Sequence, residues 1–233
     1  MTAPWEMIIF DCDGTLVDSL GGIATCINAT LDELEPGRRL SHAEVGHVVG
    51  LSLDRVFEEL MPDQDLEIQK RGIALYRKHY KERADTGRLN SQLFPGVKEV
   101  LSALDSDEMV MAIATGKSLK GLKRSLREFD LEPLFPILQT ADDNASKPAP
   151  EMVQKALSLG GVRPERTLMV GDTDYDILMG RAAGVKTCAV TYGCHEKSRL
   201  EAAKPDYLID DIRQMLKLPG LERDLGEEGV TAP

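Results

Sequence analysis

At 233 residues, with 42% hydrophobic and 29% charged side chains and a formal net charge of -11, the chain is long enough to bury a core as one large domain or as a main domain with an insert. That acidity repels nucleic acid and anionic membrane, so neither is expected as a partner, although a small anionic ligand is still compatible with a locally positive site. No apolar run approaches the ~18 residues of a membrane span.

The first predicted element is a buried strand over residues 5–10, a short apolar run that stops at an acidic, glycine-bearing turn. The stretch from about 20 to 93 then reads as helix throughout, with apolar periodicity over 23–34, 53–60 and 65–84. Further strands are expected at 109–114, 167–170 and 186–190, with a weaker one at 207–209. Helices are expected between them at 97–104, 119–129, 150–159 and 175–183. Strands alternating with helices predict an α/β fold, a Rossmann-like, doubly wound and mostly parallel sheet covered on both faces. The helical stretch interrupts this rhythm between the first and second core strands. It predicts an inserted helical cap domain over residues 20–90, a catalytic core of residues 1–19 and 91–233, and hinges at 17–22 and 90–95. The glycine-bearing acidic tail beyond Leu218 is expected to fray.

Four cysteines, Cys12, Cys26, Cys188 and Cys194, form no CxxC pair and are expected as reduced thiols. No signal-peptide pattern is evident at the N-terminus, so the expected compartment is the cytoplasm. The four histidines have no metal-ligand spacing, and none is assigned a catalytic role. Oligomeric state has no signature in the sequence.

The chemistry is expected beyond the carboxyl ends of the strands, where ligands collect in such sheets. The segment DCDGTLV (11–17) follows the first strand directly. Its two carboxylates, two residues apart, can serve one centre, with one attacking while the other handles a proton. Gly14 permits the sharp turn needed for the chain to curl around that centre. ATGK (114–117) offers the Thr115 hydroxyl and backbone N–H groups to a phosphate just before a helix begins. Lys147 stands in SKPAP (146–150), a loop stiffened by two prolines, and VGDTDYD (170–176) ends a strand with three carboxylates. Hard oxygen ligands gathered in this way suit Mg2+, which takes few carboxylates, several waters and a substrate phosphate.

The ordered set DCDGTLV, ATGK, KPAP and VGDTDYD, with GVK (184–186), VTYG (190–193) and KPDYLID (204–210) after it, resembles the haloacid dehalogenase-like superfamily in its phosphoglycolate phosphatase-like branch. The resemblance spans about residues 7–215 and includes the helical cap after the first motif. It implies a phosphatase acting on a small phosphorylated metabolite through an aspartyl-phosphate, with 2-phosphoglycolate as the leading substrate. In this scheme Asp11 is the nucleophile and Asp13 the acid and base. Thr115, Gly116 and Lys147 bind the phosphoryl group. Mg2+ is held by Asp11, the Asp13 main-chain carbonyl and Asp172, with Asp176 orienting the metal's waters. Family dehalogenases lack an aspartate at the position of Asp13, because halide departure needs no proton, so the resemblance implies a phosphatase. Gly116 stands where many relatives carry asparagine. The competing readings are a sugar phosphomutase, an inorganic pyrophosphatase and a non-catalytic binding protein on the same fold. The loop VGLSL (49–53) is expected to face the core site and contact substrate.

Overall fold

β1 (Met7–Phe10) is buried along its whole length. Its side chains alternate between two cores, Ile8 and Phe10 toward one and Met7 and Ile9 toward the other. The computed structural model describes residues 5–106 and 108–222. After the turn that follows β1 come β2 (Val17–Asp18) and then four helices, α1 (Leu20–Leu34), α2 (His42–Gly46), α3 (Leu53–Leu60) and α4 (Leu66–Asp85). The chain returns as β3 (Gln92–Leu93), which pairs antiparallel with β2. The two stretches read as hinges therefore contain a two-stranded ribbon that ties both ends of the helical segment together.

The rest alternates as expected: α5 (Val97–Leu104), β4 (Val110–Thr115), α6 (Leu119–Glu128), β5 (Ile137–Thr140), α7 (Glu151–Gly160), β6 (Thr167–Gly171), α8 (Asp174–Ala182), β7 (Lys186–Val190), α9 (Lys197–Ala202) and β8 (Tyr207–Ile209). β1, β4, β5, β6, β7 and β8 form one parallel sheet in the order β5–β4–β1–β6–β7–β8. Val97, Val100 and Leu101 of α5 and Leu122 and Leu126 of α6 cover one face. Met152, Val153 and Ala156 of α7 and Met179 of α8 cover the other. Strand order reverses at β1, which is flanked by β4 and β6, and the crevice beyond their carboxyl ends is where such a sheet binds ligands.

The sequence reading missed β5, α2 and α9 as well as the two ribbon strands. β5 is a four-residue edge strand of sequence ILQT, with too few apolar residues to stand out. α2 has five residues, yet Ser41 and Glu44 close a capping box around its first turn. The expected fraying beyond Leu218 does not hold for residues 219–222. The Trp5 indole donates to the Pro219 carbonyl at 2.9 Å and Leu221 is buried, while residues 223–233 lie outside the described residues.

The four helices between the ribbon strands gather an apolar cluster of their own, built from Ile23, Ile27, Leu31, Val56, Phe57 and Ile73 among others. Tyr175 and Cys194 of the sheet-bearing part pack against this cluster. Hydrogen bonds seat the segment there, among them Tyr175 Oη donating to the His47 carbonyl at 3.0 Å and the Ser52 N–H donating to Ser146 Oγ at 2.9 Å.

Candidate active site

Parallel register sets the site. Phe10 pairs with Ile113 of β4 and with Val170 of β6, so the next residues of each strand, Asp11, Ala114 and Gly171, emerge side by side at the carboxyl edge. Asp11 is held in line by its N–H, which donates to the Val170 carbonyl at 2.9 Å. Asp172 follows β6 immediately, and Asp176 sits in the first turn of α8, where it completes a capping box with Thr173.

Asp11, Asp172 and Asp176 are fully buried, each offering an oxygen within 4.8 Å of the others. Lys147, also buried, places Nζ 2.8 Å from Asp11 Oδ1 as a charge contact and donates a hydrogen bond to Asp176 Oδ1 at 2.6 Å. The Lys147–Pro148 peptide bond is cis. Three carboxylates against one ammonium leave two uncompensated negative charges, the charge of one divalent cation. Asp11 Oδ1 has only the Lys147 ammonium beside it, and Oδ2 has no hydrogen-bond partner among the described residues, although both oxygens are buried. An oxygen left in this way is costly unless a ligand completes it. Asp172 is satisfied differently, accepting from Thr15 Oγ1 at 2.8 Å and from the Cys194 N–H at 2.7 Å.

The backbone crowds close around Asp172. Gly14 has φ +84, and a Cβ built there would fall 2.1 Å from Asp172 Oδ2, while one on Gly193 would fall 2.2 Å from Asp172 Cβ. Only glycine allows both the turn and that approach. The donor set therefore fits a hard divalent cation: buried carboxylate oxygens, excess negative charge and main chain packed tightly around them.

Electrostatics follow burial. Desolvation is the largest influence on Asp11, outweighing the attraction of Lys147, and the repulsion of Asp176 and Asp172 adds to it, pushing the carboxyl up to about 8. Asp172 is raised to about 6, first by burial and then by Asp176. Burial works against the Lys147 ammonium, but Asp11 and Asp176 together outweigh it and hold its pKa above the ordinary lysine value. The collection is strained without a cation, as a site built to receive one should be.

Asp13 lies apart from this cluster, on the wall of a cavity of about 680 Å³ between the sheet edge and the helical segment. Thr115 and Gly116 line the same cavity. So do all five residues of the loop 49–53, which faces the core as the sequence suggested. Its backbone approaches so closely that a Cβ on Gly116 would fall 2.3 Å from the Leu51 carbonyl oxygen. That contact gives a physical reason for glycine here.

The residue that sequence reasoning passed over is Lys117. Its Nζ contacts both Asp13 oxygens, at 2.5 and 2.7 Å, while Ser19 Oγ donates to Asp13 Oδ1 at 2.5 Å. Asp13 outweighs the penalty of burial and holds the Lys117 pKa well above its ordinary value. The available signal was position: Lys117 stands between the last residue of β4 and Ser118, the N-cap of α6. The histidines stay outside the carboxylate cluster; His195 accepts the Asp174 N–H at 3.1 Å. All four cysteines are free, and burial pushes the Cys12, Cys26 and Cys188 thiols up. No described helix is long and apolar enough to cross a membrane.

Residues 8–190 match the family model described as haloacid dehalogenase-like hydrolase. A protein named pyrophosphatase PpaX from Bacillus pumilus is 33% identical over 216 residues, 92% of this chain and 96% of that protein. One named phosphoglycolate phosphatase from Photorhabdus laumondii is 31% identical over 218 residues, 92% of each chain. Among solved structures, a haloacid dehalogenase-like family hydrolase from Streptococcus pneumoniae superposes with a TM-score of 0.80 at 26% identity, covering 93% of this chain and 99% of that one.

Proposed function

The chain belongs to the haloacid dehalogenase-like hydrolase family, and from that premise we propose that it hydrolyses small organic phosphate esters by transferring the phosphoryl group to Asp11. The observation that carries this reading is the state of Asp11. It is a buried carboxylate at the carboxyl edge of the central strand, with the buried Lys147 ammonium beside Oδ1 and no hydrogen-bond partner for Oδ2 among the described residues. Both oxygens of Asp172 and of Asp176, by contrast, accept hydrogen bonds.

In this mechanism an Asp11 oxygen attacks phosphorus, the bond from phosphorus to the ester oxygen breaks, and Asp13 delivers a proton to the departing alkoxide. Asp13, now a carboxylate, takes a proton from a water that attacks the same phosphorus. The acyl phosphate bond then breaks, and inorganic phosphate and the Asp11 carboxylate are regenerated. Thr115 and the Gly116 N–H hold phosphoryl oxygens, and Lys147 balances the charge gathered around Asp11. Lys117 and Ser19 fix the Asp13 carboxylate against the cavity wall. Mg2+ would be held by the Asp11 and Asp172 carboxylates and the Asp13 main-chain carbonyl, and when bound it neutralises the transferring oxygens. Asp176, its oxygens taken by Lys147 and Thr173, orients that shell from behind.

We assign residues 20–90 to a cap that closes over the crevice and excludes water, on the support of their separate apolar cluster and the β2–β3 ribbon. The four free thiols favour a cytoplasmic setting. A second reading, inorganic pyrophosphatase, is favoured by the name of the Bacillus pumilus relative. The covalent step is tested by adding borohydride during turnover, which reduces an aspartyl-phosphate to homoserine, and locating the change by peptide mass. Homoserine at position 11 is expected. An unmodified Asp11 under conditions of active turnover would refute the nucleophile.

A further inference from the structure

The 680 Å³ cavity is too large, and too apolar, for the smallest anions the family suggests. At roughly 30 Å³ per water it has room for about twenty water molecules, whereas 2-phosphoglycolate and pyrophosphate contain nine non-hydrogen atoms apiece. One wall of the remaining space is apolar. Ile23 and Ile27, one turn apart on α1, form an apolar wall with Val48, Leu51 and Val56. Tyr76 and Tyr80, one turn apart on α4, continue that wall with rings 6.0 Å apart and inclined by 30°. A small polyanion held at the phosphoryl-binding edge would leave this apolar wall uncovered.

The cavity also carries an excess of positive charge, although the chain as a whole has a net charge of -11. α4 contributes Arg77 and Lys81, and α6 contributes Lys120 and Arg124. Asp54 and Asp142 are the acidic groups in the lining besides Asp13, and Asp142 is engaged in accepting the Leu119 N–H at 2.8 Å. Lys81 and Arg124 share one partner, Asp85, at 2.5 and 3.3 Å. Arg77 and Lys120 form no ion pair among the described residues. A phosphoryl-binding edge, aromatic and aliphatic walls and a group of cations in one cavity outline a ligand with three parts.

The geometry points to a substrate class: a phosphate monoester whose alcohol has a flat apolar body and ends in a second anionic group. The body lies along Tyr76, Tyr80 and the α1 wall, and the distal anion meets Lys120 and Arg124, with Arg77 beside them. This rests on the phosphatase reading and goes beyond it, because it ranks esters by size and distal charge.

Four probes of the magnesium-loaded protein decide the matter through phosphate release: 4-carboxybenzyl phosphate, benzyl phosphate, 2-phosphoglycolate and inorganic pyrophosphate. The two benzyl esters present similar leaving groups, so their ratio isolates the distal charge. 4-Carboxybenzyl phosphate should have the highest kcat/KM, about tenfold or more above benzyl phosphate and above both small anions. In the double variant K120A/R124A that ratio between the benzyl esters should collapse toward one, mainly through KM. These side chains are partly or fully exposed, and a circular dichroism melt checks the fold; if the pair cannot be purified folded, K120Q alone should still lower the ratio. A higher kcat/KM for 2-phosphoglycolate or pyrophosphate, or an unchanged ratio in the variant, overturns the proposal. Absence of phosphate release from all four probes would instead overturn the phosphatase reading itself.

Discussion

Gly116 is the point at which the two parts of the molecule can be pried apart by one methyl group. In Gly116→Ala the new Cβ would lie 2.3 Å from the Leu51 carbonyl oxygen and 2.5 Å from that of Gly50. These are backbone atoms and cannot rotate away. Reaching an ordinary contact of 3.4 Å requires the loop to retreat by about 1 Å. The same movement would stretch the Ser52 N–H to Ser146 Oγ hydrogen bond from 2.9 Å to beyond bonding distance. Losing it costs ~1 kcal/mol, and the residual crowding adds about the same. About 2 kcal/mol against the closed arrangement corresponds to ~30-fold weaker apparent substrate binding. With residues 20–90 acting as the proposed cap, the loop swings out on the β2–β3 ribbon without unfolding the sheet, so KM should rise far more than Tm falls. Steady-state phosphate release, a thermal melt and amide exchange at Ser52 measure the three consequences. Gly116→Asn, with more atoms to place, should be at least as impaired. Wild-type KM together with undiminished protection of the Ser52 amide would show that this contact does not hold the parts together.

Asp11→Asn should cut turnover by on the order of 10⁴-fold or more. It should also raise Tm of the metal-free protein at neutral pH, because burial and neighbouring carboxylates lift the native pKa to about 8. A carboxylate raised in this way destabilises the fold progressively from its unfolded pKa up to about 8, and asparagine removes that burden; a lower Tm would contradict the crowding argument. Lys117→Met keeps the length and removes the clamp on Asp13. It should lower kcat on alkyl phosphates by ~10²-fold and on p-nitrophenyl phosphate much less, since a good leaving group needs little protonation; equal losses would separate Lys117 from proton transfer. Removing metal with chelator should abolish activity, and magnesium should restore it while calcium does not. Saturating magnesium at ~100 Kd should add ~2.7 kcal/mol of stability, a rise of about 5–10 °C for a chain of this size. A melt indifferent to magnesium would count against the carboxylate site.

The sheet and its chemistry were legible in sequence for the same reason. Each central strand is a run of buried apolar residues, and Asp11, Thr115 and Asp172 lie at the ends of such runs, so finding the strand finds the residue. Asp11 follows MIIF, Thr115 closes VMAIAT, and Asp172 follows TLMVG. β5 escaped notice because ILQT lies at the sheet edge, where Gln139 can accept a hydrogen bond from Asn144 at 3.3 Å and apolar alternation is not needed. α2 escaped because five residues cannot show a helical period, although the capping pair Ser41 and Glu44 was readable.

The groups that choose a substrate were illegible for a deeper reason. Asp11 and Asp13 share one turn, so chain distance reveals their partnership. Lys117 meets Asp13 across 104 positions, and Arg124 meets Asp85 across 39. Lys117 and Asp13 are brought together by the pairing of β1 with β4, and Arg124 and Asp85 by α6 facing the end of α4, and neither proximity leaves a spacing in the sequence. Cationic residues on the exposed face of a helix look the same whether they face bulk water or a neighbouring helix across a crevice. Catalytic identity is therefore carried by local motifs. In the proposed substrate class, selectivity arises where the helical segment and the sheet edge face each other across the cavity, so substitutions at Tyr76, Lys120 or Arg124 should redirect the enzyme toward other esters without touching a catalytic motif.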